Sequence, residues 1–205
     1  MSGTLVDLQC VTGGRNLLVL ATTPGDESLF CGHLIAQASA KGRPPFVAVL
    51  TDGNEVPVPG IDHATADEIA LRHAQDAARA SSILGVPDEW FLVLGLHDGS
   101  VPTSGARFDA VVEGLSMIMW RRDCDVIAVP WDADRRPDYA AAHAVGLALC
   151  ARDNIAHITY RTTAGNDSRE PLRLAPIKTS MRRLQAIGAH PHLATDFLEG
   201  YYRNF

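Results

Sequence analysis

Short apolar runs alternate with amphipathic stretches along the chain, and this alternation is the feature that most constrains the fold. Five runs are predicted to be strands, and the first two are apolar throughout, as expected of a sheet covered on both faces. They are residues 16–21, 46–51, 90–96, 125–130 and 155–161. Because a helix-like segment separates each run from the next, the pattern predicts an α/β fold: a Rossmann-like parallel sheet with helices on both faces.

Helix start and stop signals support this interpretation. Helices are predicted over residues 26–42, 65–85, 107–122, 137–152 and 178–189. Thr65 and Glu68 have the spacing of a capping box, and Gly85 follows the end of the same helix. A length of 205 residues predicts a single domain spanning residues 1–205.

Composition excludes several classes of function. Hydrophobic residues make up 46% and charged residues 20%, which is typical of globular proteins. A net charge of −6 argues against general nucleic-acid binding and against docking on anionic membranes, so a small polar molecule is the expected partner.

The four cysteines form no CxxC pair and are expected to be reduced thiols. The first residues resemble no signal peptide and no run could span a bilayer, so the expected location is cytoplasmic. The oligomeric state stays open, a homo-oligomer included.

Polar residues gather where four of the predicted strands end. Open parallel sheets bind ligands beyond the carboxyl ends of their strands, so these loops are expected to form one site. The loops are residues 22–27, 51–55, 97–100 and 131–139. The first loop lacks the GxGxxG of a dinucleotide site, and the chain has neither a Walker lysine nor a GxSxG elbow. These absences disfavour NAD, ATP and a serine nucleophile.

The same loops carry a resemblance to a known family. The stretch LLVLATTPGDESLFCGHLIAQASAKG, followed by VAVLTDGN, resembles the start of the PIG-L/LmbE-like N-deacetylase superfamily. The first family signature, A-x-H-P-D-D-E, falls on residues 21–27, and the second, H-P-D-H, falls on residues 136–139. ASSILGVPD and RRLQAIGAHPH are similar to later family segments, so the resemblance covers nearly the whole chain.

The resemblance implies a sheet whose strands have the order third, second, first, fourth, fifth. It also implies a zinc-dependent removal of acetyl groups from small-molecule amides. Family members hold one zinc through two histidines and an aspartate, which leaves a position open for water. In this sequence those three ligand positions are occupied by Thr23, Asp26 and Tyr139. The general-base position is Gly25, and the position that stabilises the transition state is Arg136. Neither threonine nor tyrosine is a good neutral zinc ligand, so no metal and no other cofactor is predicted.

Three hypotheses follow for function. In the first, a divergent family member binds a small polar, sugar-like or N-acylated ligand, with the zinc deacetylase machinery largely lost. The predicted catalytic residues are Arg136 and Asp138, and the predicted ligand-binding residues are Thr23, Asp26, Asp52, Asp132, Tyr139 and His143.

The second hypothesis is an active metal-dependent N-deacetylase or amidohydrolase with rebuilt ligands. Its zinc would be held by Asp26, His143 and one of Asp52, Asp132 or Asp134. The third is a non-catalytic partner subunit. Whether the chain is an enzyme stays open, and if it is active, it is expected to hydrolyse carbon–nitrogen amide bonds. The sequence does not place His190 relative to these loops.

Overall fold

A five-stranded parallel sheet forms the centre of the molecule. The computed structural model describes residues 5–6, 8–55, 65–131, 136–162, 173–174, 185–187 and 189–190. The strands are β1 (Leu5–Val6), β2 (Asn16–Ala21), β3 (Phe46–Thr51), β4 (Phe91–Leu96), β5 (Cys124–Pro130), β6 (Ala156–Tyr160) and β7 (Arg173–Leu174). The central sheet has the order β4-β3-β2-β5-β6, and every neighbouring pair is parallel. The predicted fold class and strand order are therefore confirmed. The short parallel pair β1–β7 was not predicted.

The helices follow the prediction with one correction. They are α1 (Leu8–Thr12), α2 (Asp26–Leu29), α3 (Gly32–Ala40), α4 (Ala66–Ile83), α5 (Gly105–Arg121) and α6 (Pro137–Asp153). The single helix predicted over residues 26–42 was wrong, because the chain leaves the helix between α2 and α3. The break lies beside Gly32, and glycine is the least favourable helix residue after proline. Of the helix predicted over residues 178–189, only 185–187 are described as helical, and 178–184 lie outside the described residues.

Two apolar clusters cover the two faces of the sheet. Successive residues of a strand point to opposite faces, so β2 contributes to both clusters. Leu18 and Leu20 pack in the cluster that includes residues of α5 and α6. Val19 packs in the other cluster, with residues of α3 and α4. The sheet is thus held between helical layers, and its strand ends are left to form loops.

Local contacts fix where the helices meet those loops. The capping box of Thr65 and Glu68 at the start of α4 is present as predicted. A Cβ atom on Gly146 would overlap the side chain of Val129, so glycine allows α6 to pack closely against β5. The middle of α6 therefore packs against β5 near the carboxyl end of this strand. No helix within the described ranges is long and apolar enough to cross a membrane.

Candidate functional site

The loop after β2 turns sharply into α2 and buries two acidic side chains. Gly25 caps α2 with a φ of 105°, a left-handed conformation that glycine adopts without strain. The backbone N–H of Gly25 donates to Glu27 Oε2 at 2.7 Å, and that of Thr23 donates to Asp26 Oδ2 at 3.1 Å. Asp26 is only 5% exposed and Glu27 is fully buried. The turn thus brings two carboxylates into the protein interior at the end of a central strand.

Asp26 contacts the first turn of α6 through Tyr139. Burial raises the pKa of the Asp26 carboxyl to about 7, and the nearby Glu27 charge also raises it. Hydrogen bonds from the Tyr139 hydroxyl and the Thr23 N–H lower it, as does the positive charge of Arg136. Because desolvation is the largest effect, Asp26 exchanges its proton near neutral pH.

Arg136 completes this cluster from the solvent side. Its guanidinium carbon lies 3.3 Å from the centroid of the Tyr139 ring, which is a stacked cation–π contact. Arg136 is exposed and Tyr139 is buried. The structure therefore brings together four of the predicted site residues, Thr23, Asp26, Arg136 and Tyr139, which we call the Asp26 cluster.

Asp138 lies beside this cluster, but its carboxylate faces a different loop. It accepts hydrogen bonds from the backbone N–H of Gly99 at 2.5 Å and of Val101 at 3.1 Å. Both oxygens therefore hold the loop that follows β4. This contact gives Asp138 a positioning function, while its catalytic role stays a prediction.

The loops after β3 and β4 join the site through polar contacts. His97 Nδ1 lies 3.0 Å from Asp52 Oδ2. Asp98 accepts from the Thr23 hydroxyl at 3.4 Å and from the backbone N–H of Glu55 at 3.3 Å. Asp98 thus links three loops, although it was not among the predicted site residues. The sequence feature that could have identified Asp98 is its position in the third loop, next to Gly99.

His143 lies one turn further along α6 and has other neighbours. Its Nδ1 is 2.8 Å from the carbonyl oxygen of Pro130, and its ring meets His157 edge-to-face at 6.4 Å. Asp132 and Asp134, which the zinc hypothesis also named, lie outside the described residues.

Two further residues at the site were not predicted, the partly buried Tyr160 and the buried His190. Tyr160 donates its hydroxyl to the carbonyl oxygen of Leu20 at 2.8 Å. Burial raises the pKa of Tyr160 well above its usual value, and negative charge on Cys31 and Asp26 adds to the effect. No sequence feature marked Tyr160 as a site residue, because a tyrosine in an alternating strand is just as typical of the hydrophobic core.

The second is His190, whose Nε2 lies 3.0 Å from Glu27 Oε1, with both side chains fully buried. Burial alone would raise the pKa of Glu27. His190, the Ser28 hydroxyl and the Gly25 N–H outweigh it and hold the Glu27 pKa below its usual value. Glu27 thus ties a distant segment of the chain to the turn that carries Asp26.

The donor set of the Asp26 cluster does not fit a zinc ion. Asp26 is the one carboxylate at the three positions where the resemblance expects ligands. The Tyr139 hydroxyl is hydrogen-bonded to Asp26, and the Thr23 hydroxyl is hydrogen-bonded to Asp98. Within the described residues, no three His, Cys, Asp or Glu side chains come together as a group that could hold a metal ion, and this includes Asp26, His143 and Asp52.

Sequence comparison identifies the family. A sequence model of the PIG-L family, described as GlcNAc-PI de-N-acetylase, matches residues 18–150. These residues include both signatures and the whole Asp26 cluster. The chain belongs to the PIG-L family. Among curated proteins, none matches the chain in a direct sequence search.

Solved structures share the fold at low sequence identity. The N,N'-diacetylchitobiose deacetylase from Pyrococcus horikoshii, complexed with its inhibitor MPG, aligns with a TM-score of 0.76 and 16% identity over 97% of this chain and 79% of that chain. A deacetylase of teicoplanin biosynthesis, in complex with teicoplanin, aligns with a TM-score of 0.67 and 15% identity, over 92% of both chains. The 4-carboxy-2-hydroxymuconate hydratase GalB from Pseudomonas putida KT2440 aligns with a TM-score of 0.65 and 14% identity, over 93% of this chain and 83% of that chain. The described fold is thus that of several deacetylases and of a hydratase.

Proposed function

We propose that this PIG-L family member binds a small polar, sugar-like or N-acylated molecule at the Asp26 cluster, by hydrogen bonds and without a resident zinc ion. The observation that carries the proposal is the hydrogen bond between Asp26 and Tyr139. These residues occupy two positions at which the family resemblance expects zinc ligands. Here Asp26 and Tyr139 are hydrogen-bonded to each other, and Arg136 stacks on the Tyr139 ring.

The chemistry of the cluster suits a ligand rich in hydroxyl and amide groups. Asp26 and Asp98 are carboxylates that accept hydrogen bonds, and the hydroxyls of Thr23 and Tyr139 donate or accept them. The exposed guanidinium of Arg136 adds a cation that pairs well with planar or anionic acceptors. An N-acylated amino sugar offers all the matching groups, and the N,N'-diacetylchitobiose deacetylase of the same fold acts on such a molecule.

Asp26 also gives the site a proton that can move near neutral pH. A carboxyl group with a pKa of about 7 is half protonated at that pH, which is the condition for efficient general acid–base catalysis. The fold is also found in a hydratase, so proton transfer of another kind than deacetylation is compatible with it. In the proposed complex, Asp26 is the principal hydrogen-bond partner of the bound molecule.

Calorimetric titration of metal-free protein with N-acetylglucosamine, glucosamine and N,N'-diacetylchitobiose tests the proposal. We expect binding of at least one of them, weakened at least ~10-fold by Arg136→Gln or Tyr139→Phe, which is ~1.4 kcal/mol. Arg122→Gln is the matched control. Arg122 lies in the turn that precedes β5, and it also stacks on an aromatic ring, since its guanidinium carbon is 4.9 Å from the centroid of the Trp90 ring.

Elemental analysis of the protein as purified, without added metal and before any metal is removed, separates the alternatives. Near-stoichiometric zinc that depends on Asp26, together with amide hydrolysis, would overturn the metal-free site and favour the rebuilt hydrolase. If the protein carries no zinc and binds none of the three sugars, the proposed ligand binding at the Asp26 cluster is overturned and a non-catalytic partner subunit is favoured.

A further inference from the structure

The outward side of α5 presents two large apolar side chains to water. Trp120 is 84% exposed and Met117 is 59% exposed. The opposite side of the helix packs in the core through its buried residues, which are Val111, Val112, Leu115 and Met119. We propose that the outward side of α5 binds a second copy of this chain, with the two α5 helices antiparallel and paired about Met117.

The residues of this surface follow the period of the helix. Successive helix residues are about 100° apart, so those that share a side with Met117 form one stripe about 120° wide, centred on this methionine. Gly114 in this stripe is partly buried and the other residues are exposed. The residues are Ala110, Glu113, Gly114, Met117, Trp120 and Arg121, which we call the α5 face.

Gly114 lowers the helix propensity of α5, and no packing contact in the described part of the chain requires a glycine there. Glycine is the least favourable helix residue after proline. Outside its own helix turn, a Cβ atom at position 114 would have no atom of the described residues within 4 Å. Gly146 in α6 differs, because a Cβ atom there would overlap Val129. A helix packed against the α5 face from outside gives Gly114 a comparable function, since it can approach the backbone closely.

An antiparallel pair makes the α5 face complementary to itself. A two-fold axis at Met117 brings each residue level with the residue equally far beyond Met117 in the second copy. Glu113 of each copy is then level with Arg121 of the other, so opposite charges meet twice. Gly114 of each copy is level with Trp120 of the other, so the small residue leaves room for the indole ring. The two methionines meet at the centre.

The charges favour this arrangement over a parallel pair. Glu113 and Arg121 are two turns apart on one helix, a rise of ~12 Å, so they cannot pair with each other within one copy. A parallel pair in register would bring glutamate level with glutamate and arginine level with arginine, which is repulsive. The same stripe thus carries its own counter-charges for an antiparallel second copy, and this pattern is the reason for choosing that occupant.

The interface is expected to be small and its binding reversible. One face of a 17-residue helix offers less than the about 800 Å² per partner that standard interfaces bury, which favours a dissociation constant in the micromolar range. Tryptophan is among the residues that most often dominate binding energy, so Trp120 is expected to contribute most. The inference is independent of the proposed ligand, because the α5 face contains no residue of the Asp26 cluster.

Sedimentation velocity of the full chain at increasing concentration tests the proposal. We expect a monomer–dimer equilibrium for the parent, weakened at least ~10-fold by Trp120→Ala, which is ~1.4 kcal/mol. Leu71→Ala is the matched control, because Leu71 is a 61% exposed apolar residue of another helix, α4, and its loss should leave the equilibrium unchanged. A parent that stays monomeric, or a Trp120→Ala variant that dimerises as well as Leu71→Ala, would overturn the proposal.

Charge reversal tests the antiparallel pairing itself. Glu113→Arg alone and Arg121→Glu alone should each weaken the dimer, because like charges become level across the two-fold axis. An equimolar mixture of these two variants should dimerise again, since each copy then meets opposite charges on the other. Both residues are exposed, so thermal unfolding should show that each variant is folded. A mixture that dimerises no better than either variant alone would overturn the pairing about Met117.

Discussion

The Tyr139 hydroxyl donates a hydrogen bond to the buried carboxyl group of Asp26, and the two residues lie in the first turns of α2 and α6, the helices that follow β2 and β5. These two strands are neighbours at the centre of the sheet. The bond therefore joins the carboxyl ends of the two strands, the edge at which parallel sheets bind ligands. In the family pattern both residues would instead contact a metal ion.

Asp26 is expected to make stability depend on pH between about 4 and about 7. Its pKa is raised from 3.8 to about 7 on folding, so the folded state keeps the proton that the unfolded state releases in this range. The contribution of Asp26 to the free energy of unfolding is thus complete below about pH 4, and it is lost as the pH rises to about 7. At ~1.4 kcal/mol per pKa unit, the loss is on the order of a few kcal/mol.

Urea unfolding of the parent and of Asp26→Asn at several pH values measures this effect. The difference between the two free energies of unfolding isolates Asp26, because groups such as Glu27 titrate in both proteins. The asparagine variant should gain stability relative to the parent as the pH rises from 4 to 8. Parallel curves for the two proteins would contradict a raised pKa.

Tyr139→Phe should raise the pKa of Asp26 above its value in the parent. The hydroxyl donates to the ionised carboxylate, so its removal takes away the largest of the effects that lower this pKa. Carboxyl ¹³C chemical shifts of Asp26, followed by NMR as a function of pH, measure the change. Tyr160→Phe is the control, because the Tyr160 hydroxyl donates to the Leu20 carbonyl instead. Equal titration in Tyr139→Phe and the parent would be evidence against the hydrogen bond.

The sequence predicted the sheet well because each strand is coded locally. The run at residues 16–21 is apolar throughout, and the structure forms β2 with the same bounds. The order of the strands followed from the resemblance. The meeting of the first and fourth loops followed from the parallel arrangement, since the carboxyl ends of parallel strands lie at one edge of the sheet.

The direction of individual side chains could not be predicted in this way. Asp138 and Tyr139 are adjacent in the sequence, yet Asp138 faces the loop after β4 and Tyr139 faces Asp26. Adjacent helix positions point about 100° apart, so which one faces a given loop depends on how the helix is rotated. The Glu27–His190 pair joins segments far apart in the chain, and no local pattern records such a contact.

Asp138→Asn should destabilise the protein by about 1–3 kcal/mol, the usual cost of leaving a backbone donor without its acceptor. An asparagine side chain offers one acceptor oxygen, whereas Asp138 accepts from both Gly99 and Val101. Hydrogen exchange should become faster at these two amides, and urea unfolding gives the loss of stability. Asp67→Asn is the matched control, because Asp67 also lies in the first turn of a helix but is exposed. An equal loss in both variants would assign the effect to the helix terminus.

Removing the His190 side chain should cost about 3–5 kcal/mol, the usual loss when a buried charge, here the Glu27 carboxylate, is left without its partner. A double-mutant cycle with Glu27→Gln and His190→Phe measures how strongly the two side chains interact. The His97–Asp52 pair has the same 3.0 Å separation, but its histidine side chain is 73% exposed. Its cycle, with Asp52→Asn and His97→Phe, should give less than ~1 kcal/mol. Similar coupling in both pairs would mean that burial of Glu27 has no special effect.

Restoring two histidines should give the Asp26 cluster a zinc site. Thr23→His and Tyr139→His place two imidazoles beside the Asp26 carboxylate, and two imidazoles with a carboxylate leave a fourth position open for water. The backbone geometry favours this outcome, since Thr23 and Tyr139 both contact Asp26 in the present structure. Gly25→Asp would supply the missing base, but its φ of 105° makes aspartate unfavourable there. Metal affinity should therefore return before any hydrolytic activity does.

Competition with a chromogenic chelator measures the zinc affinity of Thr23→His/Tyr139→His. We expect it to exceed that of the parent by at least ~100-fold, or ~2.7 kcal/mol. Thr103→His/Ser104→His is the matched control, because it adds the same number of histidines at two exposed positions before α5. Its affinity should stay close to that of the parent, since adjacent surface histidines lack a nearby carboxylate in a fixed geometry. A folded Thr23→His/Tyr139→His variant that binds zinc no better than this control would show that the two positions do not face one point beside Asp26.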